Sequence, residues 1–220
     1  MDTCSRLFFS CLQRSTALLT VLAALLVVPA FAQQLQPISL SKPQIAGGAP
    51  LMQALAQRHT TRVFGDRDLP VQMLSNLLWA AFGVNRPRDV MQGLGRTAPS
   101  AMNSQDIELD VILPTGVYVY DAAQNLLRPF LAGDLRASML TAPQARAPVT
   151  ILYVADAKDT FAQVDTGFIG QNVYLFAASE GLNAWFYTVK AERVAAALKL
   201  SATRLPLYAQ SVGYPPAQLK

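Results

Sequence analysis

Cysteine is nearly missing from this chain of 220 residues: there are two, Cys4 and Cys11, both within the first 32 positions. Beyond that stretch there can be no thiolate nucleophile, disulfide framework or cysteine metal site, so stability has to come from an apolar core. Histidine is scarcer still. His59 stands alone, which excludes a histidine-built metal centre and leaves any serine triad dependent on one side chain. Asp66, Asp68 and Asp106 show no metal-ligand or paired-carboxylate spacing and read as solvated turn residues. No Lys/Arg block or basic helix face is present, so nucleic acid is not an expected partner. With self-contained acid, base and nucleophile chemistry this thin, no side chain is singled out as catalytic, and a hard chemical step would fall to a bound cofactor.

The one long apolar run lies at the start. Arg6 and Arg14 charge the beginning, residues 17–28 are mostly apolar, and Ala30-Phe31-Ala32 supplies a small-x-small cleavage pattern. A membrane span needs about 20 apolar residues, more than this run offers. The expectation is a signal peptide over 1–32, an exported and periplasmic protein, and no stable membrane anchor after cleavage. Removing Arg6, Arg14 and Asp2 takes 18 basic and 14 acidic residues to 16 and 13, a net charge of +3 over the remaining 188 residues. That length suits one domain, and that charge suits small anionic ligands at most.

Residues 33–50 are punctuated by Pro37, Pro43, Gly47, Gly48 and Pro50 and read as an extended arm or loop. The domain proper is expected over 51–220. A short helix is predicted over 51–57, and a core helix over 70–83, with Pro70 at its start, apolar residues at Leu74, Leu77, Leu78, Ala81 and Phe82, and Gly83 at its end. Trp79 on it reads as packing. Residues 85–97 are polar, carry Pro87, and read as an irregular hinge or binding loop. Gly93-Leu94-Gly95-Arg96-Thr97-Ala98 fits a dinucleotide-binding glycine pattern in letters only, because no strand precedes it. Residues 107–113 and 116–121 read as a hairpin around Pro114-Thr115, 126–139 as including a helix, and 149–154 as a buried strand. The longest periodic stretch, 163–180, has an apolar stripe of Val164, Ile169, Val173, Phe176 and Ala177, with Gly181 placed for a left-handed cap. A strand over 183–189, a helix over 191–200 and a strand over 209–214 complete an α+β domain of three layers.

Two stretches carry possible chemistry. Arg58-His59-Thr60-Thr61-Arg62-Val63-Phe64 sets two guanidiniums four residues apart with hydroxyls between them, a composition suited to holding phosphate or, blandly, to a solvated basic turn. Ala98-Pro99-Ser100-Ala101-Met102-Asn103-Ser104-Gln105 is a run of small polar groups and carboxamides that could read the edge of a planar heterocycle or simply form a turn.

Together with Gly170-Gln171-Asn172 through Glu180-Gly181-Leu182, these stretches resemble the three ordered elements of the FMN-dependent nitroreductase-like flavoproteins. Leu77 to Gly83, Arg96 to Ser100 and Gly116 to Asp121 look like the branch containing thiazoline and oxazoline dehydrogenases, although nothing selects an azoline substrate. The resemblance implies a three-layer α/β/α fold around a small, largely antiparallel sheet, and a homodimer with flavin at the interface. It implies FMN held by Arg58, Thr60 and Arg62 at its phosphate end, by Pro99, Ser100, Asn103 and Gln105 around its ring, and by the backbone of Glu180 and Gly181 near N5. Lys220 is the sole candidate for the basic residue that family members place after the last strand. The implied activity is hydride or electron transfer through FMN to a small oxidised or nitroaromatic-like acceptor, with NAD(P)H a possible donor. Dehydrogenation of a heterocyclic or peptide substrate and a non-catalytic binding module are the alternatives.

Overall fold

In a computed structural model, residues 34–89 and 93–217 are described; the expected leader and Lys220 lie outside them. No described helix is long and apolar enough to cross a membrane. From Leu35 onward the chain forms one compact unit.

The architecture is a seven-stranded sheet in which every pairing is antiparallel, in the order β1-β6-β5-β4-β7-β9-β8. Its strands are β1 (Ile38–Ser39), β4 (Glu108–Leu113), β5 (Gly116–Asp121), β6 (Leu126–Ala132), β7 (Val149–Asp156), β8 (Asn183–Thr188) and β9 (Arg204–Gly213). A separate two-stranded sheet pairs β2 (Val84–Asp89) with β3 (Gly93–Arg96). The helices are α1 (Leu51–Gln57), α2 (Val71–Phe82), α3 (Arg136–Met139), α4 (Ala142–Ala145), α5 (Ala162–Ser179) and α6 (Ala191–Leu198).

Strand alternation makes the three layers. On β7, Ile151 and Tyr153 point to one face, where Leu109 and Val111 of β4 meet Leu77, Leu78 and Ala81 of α2 and Ile169, Val173 and Ala177 of α5. Leu152 and Val154 point the other way, with Ile112 and Ala209, against Met139 of α3, Leu140, and Val194 and Leu198 of α6. The fold is therefore the α+β, α/β/α arrangement expected.

Both helix-stopping glycines work, by different physics. Gly181 follows α5 with φ +66, and Leu182 N–H bonds the Ala177 carbonyl at 2.8 Å, closing the left-handed cap. Gly83 instead leaves α2 in extended backbone (φ −70, ψ 165). A Cβ there would stand 2.4 Å from Trp79 Cδ1 and 2.6 Å from the Trp79 carbonyl oxygen, so space demands the glycine.

Three expectations are corrected. Within 85–97, expected to be irregular, the described residues of β2 and β3 pair as antiparallel strands, in a ladder broken by shifts on either side of Arg86. Residues 126–139 are mostly strand β6, with only α3 helical; Pro129 sits where the β5–β6 register slips, so its missing N–H breaks no regular ladder. Val164, expected in the buried stripe of α5, is 55 % exposed. Within the extended 33–50 arm, Ile38 and Ser39 pair with Leu127 and Leu126 at one border of the sheet.

Candidate functional site

The arginine stretch leaves the end of α1, where Arg58 N–H still bonds the Ala54 carbonyl at 2.9 Å, and runs along the outer border of β8. Thr61 N–H donates to the Ala184 carbonyl at 3.0 Å, Ala184 N–H donates to Thr61 Oγ1 at 3.2 Å, and Asn183 Nδ2 donates to the Val63 carbonyl at 2.6 Å. Phe64, 7 % exposed, anchors the far end.

Within that clamp the functional side chains acquire aromatic backing. The Arg58 guanidinium lies 5.3 Å from the Tyr174 ring centre and that of Arg62 5.4 Å from Trp185, so each cation has an aromatic face on one side. The Tyr174 hydroxyl accepts the Phe186 N–H at 2.9 Å and meets Thr60 Oγ1 at 2.8 Å. Either oxygen of the Thr60–Tyr174 pair can donate, so the contact fixes where the two hydroxyls stand rather than which of them gives its proton. At the turn that carries α5 into β8, Gly181 is exposed and its N–H takes no partner among the described residues. Arg58, Thr60 and Arg62 are thus tied to Tyr174 of α5 and to β8, the strand that follows Glu180 and Gly181.

The second stretch is held at the other end of that helix. Ala101 N–H donates to both oxygens of Asp165, at 3.0 and 3.1 Å, and Ser100 Oγ accepts the Gln105 N–H at 3.0 Å. Burial pushes the Asp165 carboxyl above its ordinary value, with the Ala101 N–H pulling the other way. Between these ties Met102, Asn103 and Gln105 all hold positive φ, at 52, 55 and 56 degrees, a conformation that costs free energy and persists only where its surroundings enforce it. The Gln105 carboxamide is spent locally. It accepts from Arg96 Nε at 2.8 Å and donates to the Leu94 carbonyl and to Asn103 Oδ1. Gln105 therefore shapes the segment from within, while Pro99 and Asn103 are exposed.

One chain does not bring all the expected residues into one cleft. Asp165 and Ser179 are 14 residues apart on α5, roughly 21 Å at helical rise. A cavity of about 530 Å³ between the arm, α1, α2 and α5 includes Glu180 in its lining. Another of about 920 Å³ under the hairpin includes Pro99, Ser100 and Asn103, and neither is lined by Arg58, Thr60 or Arg62. Tyr174, Trp185 and Asp165 are the participants that the sequence did not reveal. Tyr174 looks like one more apolar-stripe residue, and Asp165 like an acid complementing its own helix N-terminus.

An all-antiparallel sheet between two helical layers, with a cationic strip along its outer strand, defines an α+β domain of the α/β/α kind. The Nitroreductase family model matches residues 55–214, and the chain belongs to that family. A solved nitroreductase-family structure from Ralstonia eutropha JMP134 is 32 % identical with a TM-score of 0.75, covering 86 % of this chain and 94 % of its own. The Methanocaldococcus jannaschii protein MJ1384, which bears a nitroreductase name, is 27 % identical over 153 residues, 60 % of this chain and 75 % of its own length. The Escherichia coli microcin synthetase McbBCD complex, solved with truncated pro-MccB17 bound, shares the fold at 21 % identity and a TM-score of 0.59, over 79 % of this chain and 76 % of that one. Membership makes the protein an oxidoreductase by class.

Proposed function

We propose that this oxidoreductase is exported, binds FMN, and uses it to reduce a small oxidised or nitroaromatic-like acceptor. The observation that carries the reading is the donor set of the arginine stretch. Two aromatic-backed guanidiniums and the Thr60 hydroxyl lie along one strip beside β8, the strand that follows Gly181, which suits a molecule with a phosphate at one end and a polar heteroaromatic ring at the other. FMN, when bound, supplies two-electron chemistry that no side chain here offers. In this reading Arg58 and Arg62 hold the phosphate, Thr60 donates to the phosphate or ribityl chain, and Gly181 N–H orients the ring.

We infer further that the site is completed by a second copy of the chain. Pro99, Ser100 and Asn103 then approach the flavin of the partner, which accounts for two half-sites at opposite ends of one helix. Phe161, at the cap of α5, and Val164 and Phe168 on the helix are 45, 55 and 43 % exposed and make an apolar stripe that a second subunit would cover. The donor is left as NAD(P)H or another reductant of the compartment.

The test is an absorbance spectrum of the purified protein, before and after anaerobic NADH or NADPH. Flavin bands that bleach and return with an added nitroaromatic support the proposal. A colourless protein whose spectrum does not change on adding FMN overturns it. Bleaching by a heterocyclic substrate with no nicotinamide present would assign the opposite direction, dehydrogenation.

A further inference from the structure

The β2–β3 hairpin belongs to neither half-site, yet it walls the larger cavity. Arg86 and Arg88, two residues apart on β2, both line that cavity together with Pro87 between them, the pairing with β3 being irregular on either side of Arg86. With Arg96 they put three guanidiniums on a space of about 920 Å³ that Ser100 and Asn103 also line. Arg96 is committed inward: Nε donates to Gln105, Nη1 donates to the Phe82 carbonyl at 3.2 Å, and the guanidinium lies 4.9 Å from the Phe82 ring centre. Arg86 and Arg88 are exposed and make no ion pair with any described residue.

The seat of Arg86 is built. Its partner across the ladder is Gly95, and a Cβ at Gly95 would stand 2.7 Å from Arg86 Nε and 2.8 Å from Cζ. The guanidinium lies over backbone that has no side chain, and any larger residue would push it off. Gly93, at φ +73, faces Asn103, whose Nδ2 would be 3.6 Å from a Cβ there. The glycine pair that imitates a dinucleotide loop in letters therefore serves to lay a cation along the cavity wall and to bring the hairpin close to the Ser100–Asn103 segment.

We propose that this cavity receives the acceptor, and that Arg86 and Arg88 select acceptors bearing a carboxylate or comparable oxyanion. The proposal rests on the flavin oxidoreductase reading and extends it to substrate class. Each of the two guanidiniums on this wall can meet a planar oxyanion through paired N–H donors, while Pro87, Leu94 and Met102 offer apolar contact to the body of the molecule.

The experiment compares para-nitrobenzoate with para-nitrobenzyl alcohol, which differ in charge at one end. Equilibrium dialysis against purified wild type and the Arg86→Ala/Arg88→Ala double variant judges the cavity without reference to flavin. Wild type should bind the acid about tenfold more tightly than the alcohol, on the order of one charge-assisted bond, and the double variant should bind the two alike. In the second arm, protein photoreduced under argon is mixed with each compound and flavin reoxidation is followed. Reduced flavin, when bound, would supply two electrons and two protons, enough to convert the nitro group to nitroso with release of one water. The acid-to-alcohol rate ratio should fall about tenfold in the double variant, the same single-bond scale, at unchanged flavin per chain. Gly95→Ala, which keeps both charges but displaces Arg86, should lose part of the preference. No preference in wild type, a preference that survives in the double variant, or flavin content falling with the arginines overturns the proposal. A protein without flavin sinks the cofactor reading, while the dialysis arm still decides this one.

Discussion

The hydroxyl of Tyr174, in the C-terminal half of α5, stands 2.8 Å from Thr60 Oγ1 and accepts the backbone N–H of Phe186 at 2.9 Å. One phenol thereby joins the long helix, the outer strand and the cationic strip. Tyr174→Phe keeps the ring under Arg58 but leaves Phe186 N–H unpaired and Thr60 unoriented. The expected cost is about 1–3 kcal/mol of stability, with several-fold weaker FMN retention. Thermal denaturation and flavin titration, repeated on Thr60→Val and the double variant, check it; independent losses would mean that the pair is not coupled.

Arg58→Ala is expected to weaken FMN binding roughly tenfold, on the order of one charge-assisted hydrogen bond. Arg58→Lys should fall between wild type and Ala, because the charge remains but the planar fork and its stacking are lost. Fluorescence titration of the apoprotein reads both. Flavin content unaltered in Arg58→Ala would remove this residue from the site.

Asp110 supplies a pH dependence of stability remote from that site. It is fully buried on β4, both carboxylate oxygens lack a hydrogen bond, and Arg204, which also contacts Glu108, is 3.9 Å away. Burial pushes its pKa from 3.8 up to about 7. A carboxyl with a raised pKa binds its proton more tightly in the folded state, so its charged form penalises folding. That penalty is absent below pH 3.8, grows as pH rises, and is complete above about 7. Asp110→Asn should flatten the stability profile across that window and stabilise the protein at pH 8 by up to a few kcal/mol, since each tenfold difference in proton affinity between the folded and unfolded chain is worth about 1.36 kcal/mol. Urea denaturation at pH 5 and pH 8 gives the comparison, and equal slopes in both proteins would refute it.

The two helix-stopping glycines should respond in opposite order to what handedness alone suggests. Gly181→Ala places a methyl in open space and incurs only left-handed strain, on the order of 1 kcal/mol. Gly83→Ala has ordinary φ but drives a methyl into the Trp79 ring and carbonyl, so it should be the more destabilising by an amount typical of overpacking, about 1–3 kcal/mol. Melting curves of the two variants decide the ranking.

Periodicity made much of the fold legible. Helix α1 falls on its expected residues, and α2, α5, β7 and the β4–β5 hairpin fall close to theirs, because apolar spacing and glycine or proline punctuation agree in each. The misses share a cause. Residues of β6 carry Arg128 and Pro129, which argue locally against a strand, and only pairing with β5 overrides them. The β2–β3 hairpin has no apolar alternation at all, and its backbone pairing leaves no trace in side-chain pattern. Arg58, Thr60 and Arg62 could be grouped because they are contiguous. That Asp165 would clamp Ala101 from 64 residues away, and that the two stretches would sit at opposite ends of α5, are tertiary facts with no local signal.

The strip that carries Arg58, Thr60 and Arg62 is also the covering of β8, while Ile38 and Ser39 cover β6 at the far side. A sheet with bare outer strands invites pairing with other molecules. Any ligand held by that strip also fastens a cover over backbone that would otherwise be open to a neighbour. Saturation with ligand and resistance to clumping should therefore rise and fall together, and an empty protein should be the one that precipitates first on concentration.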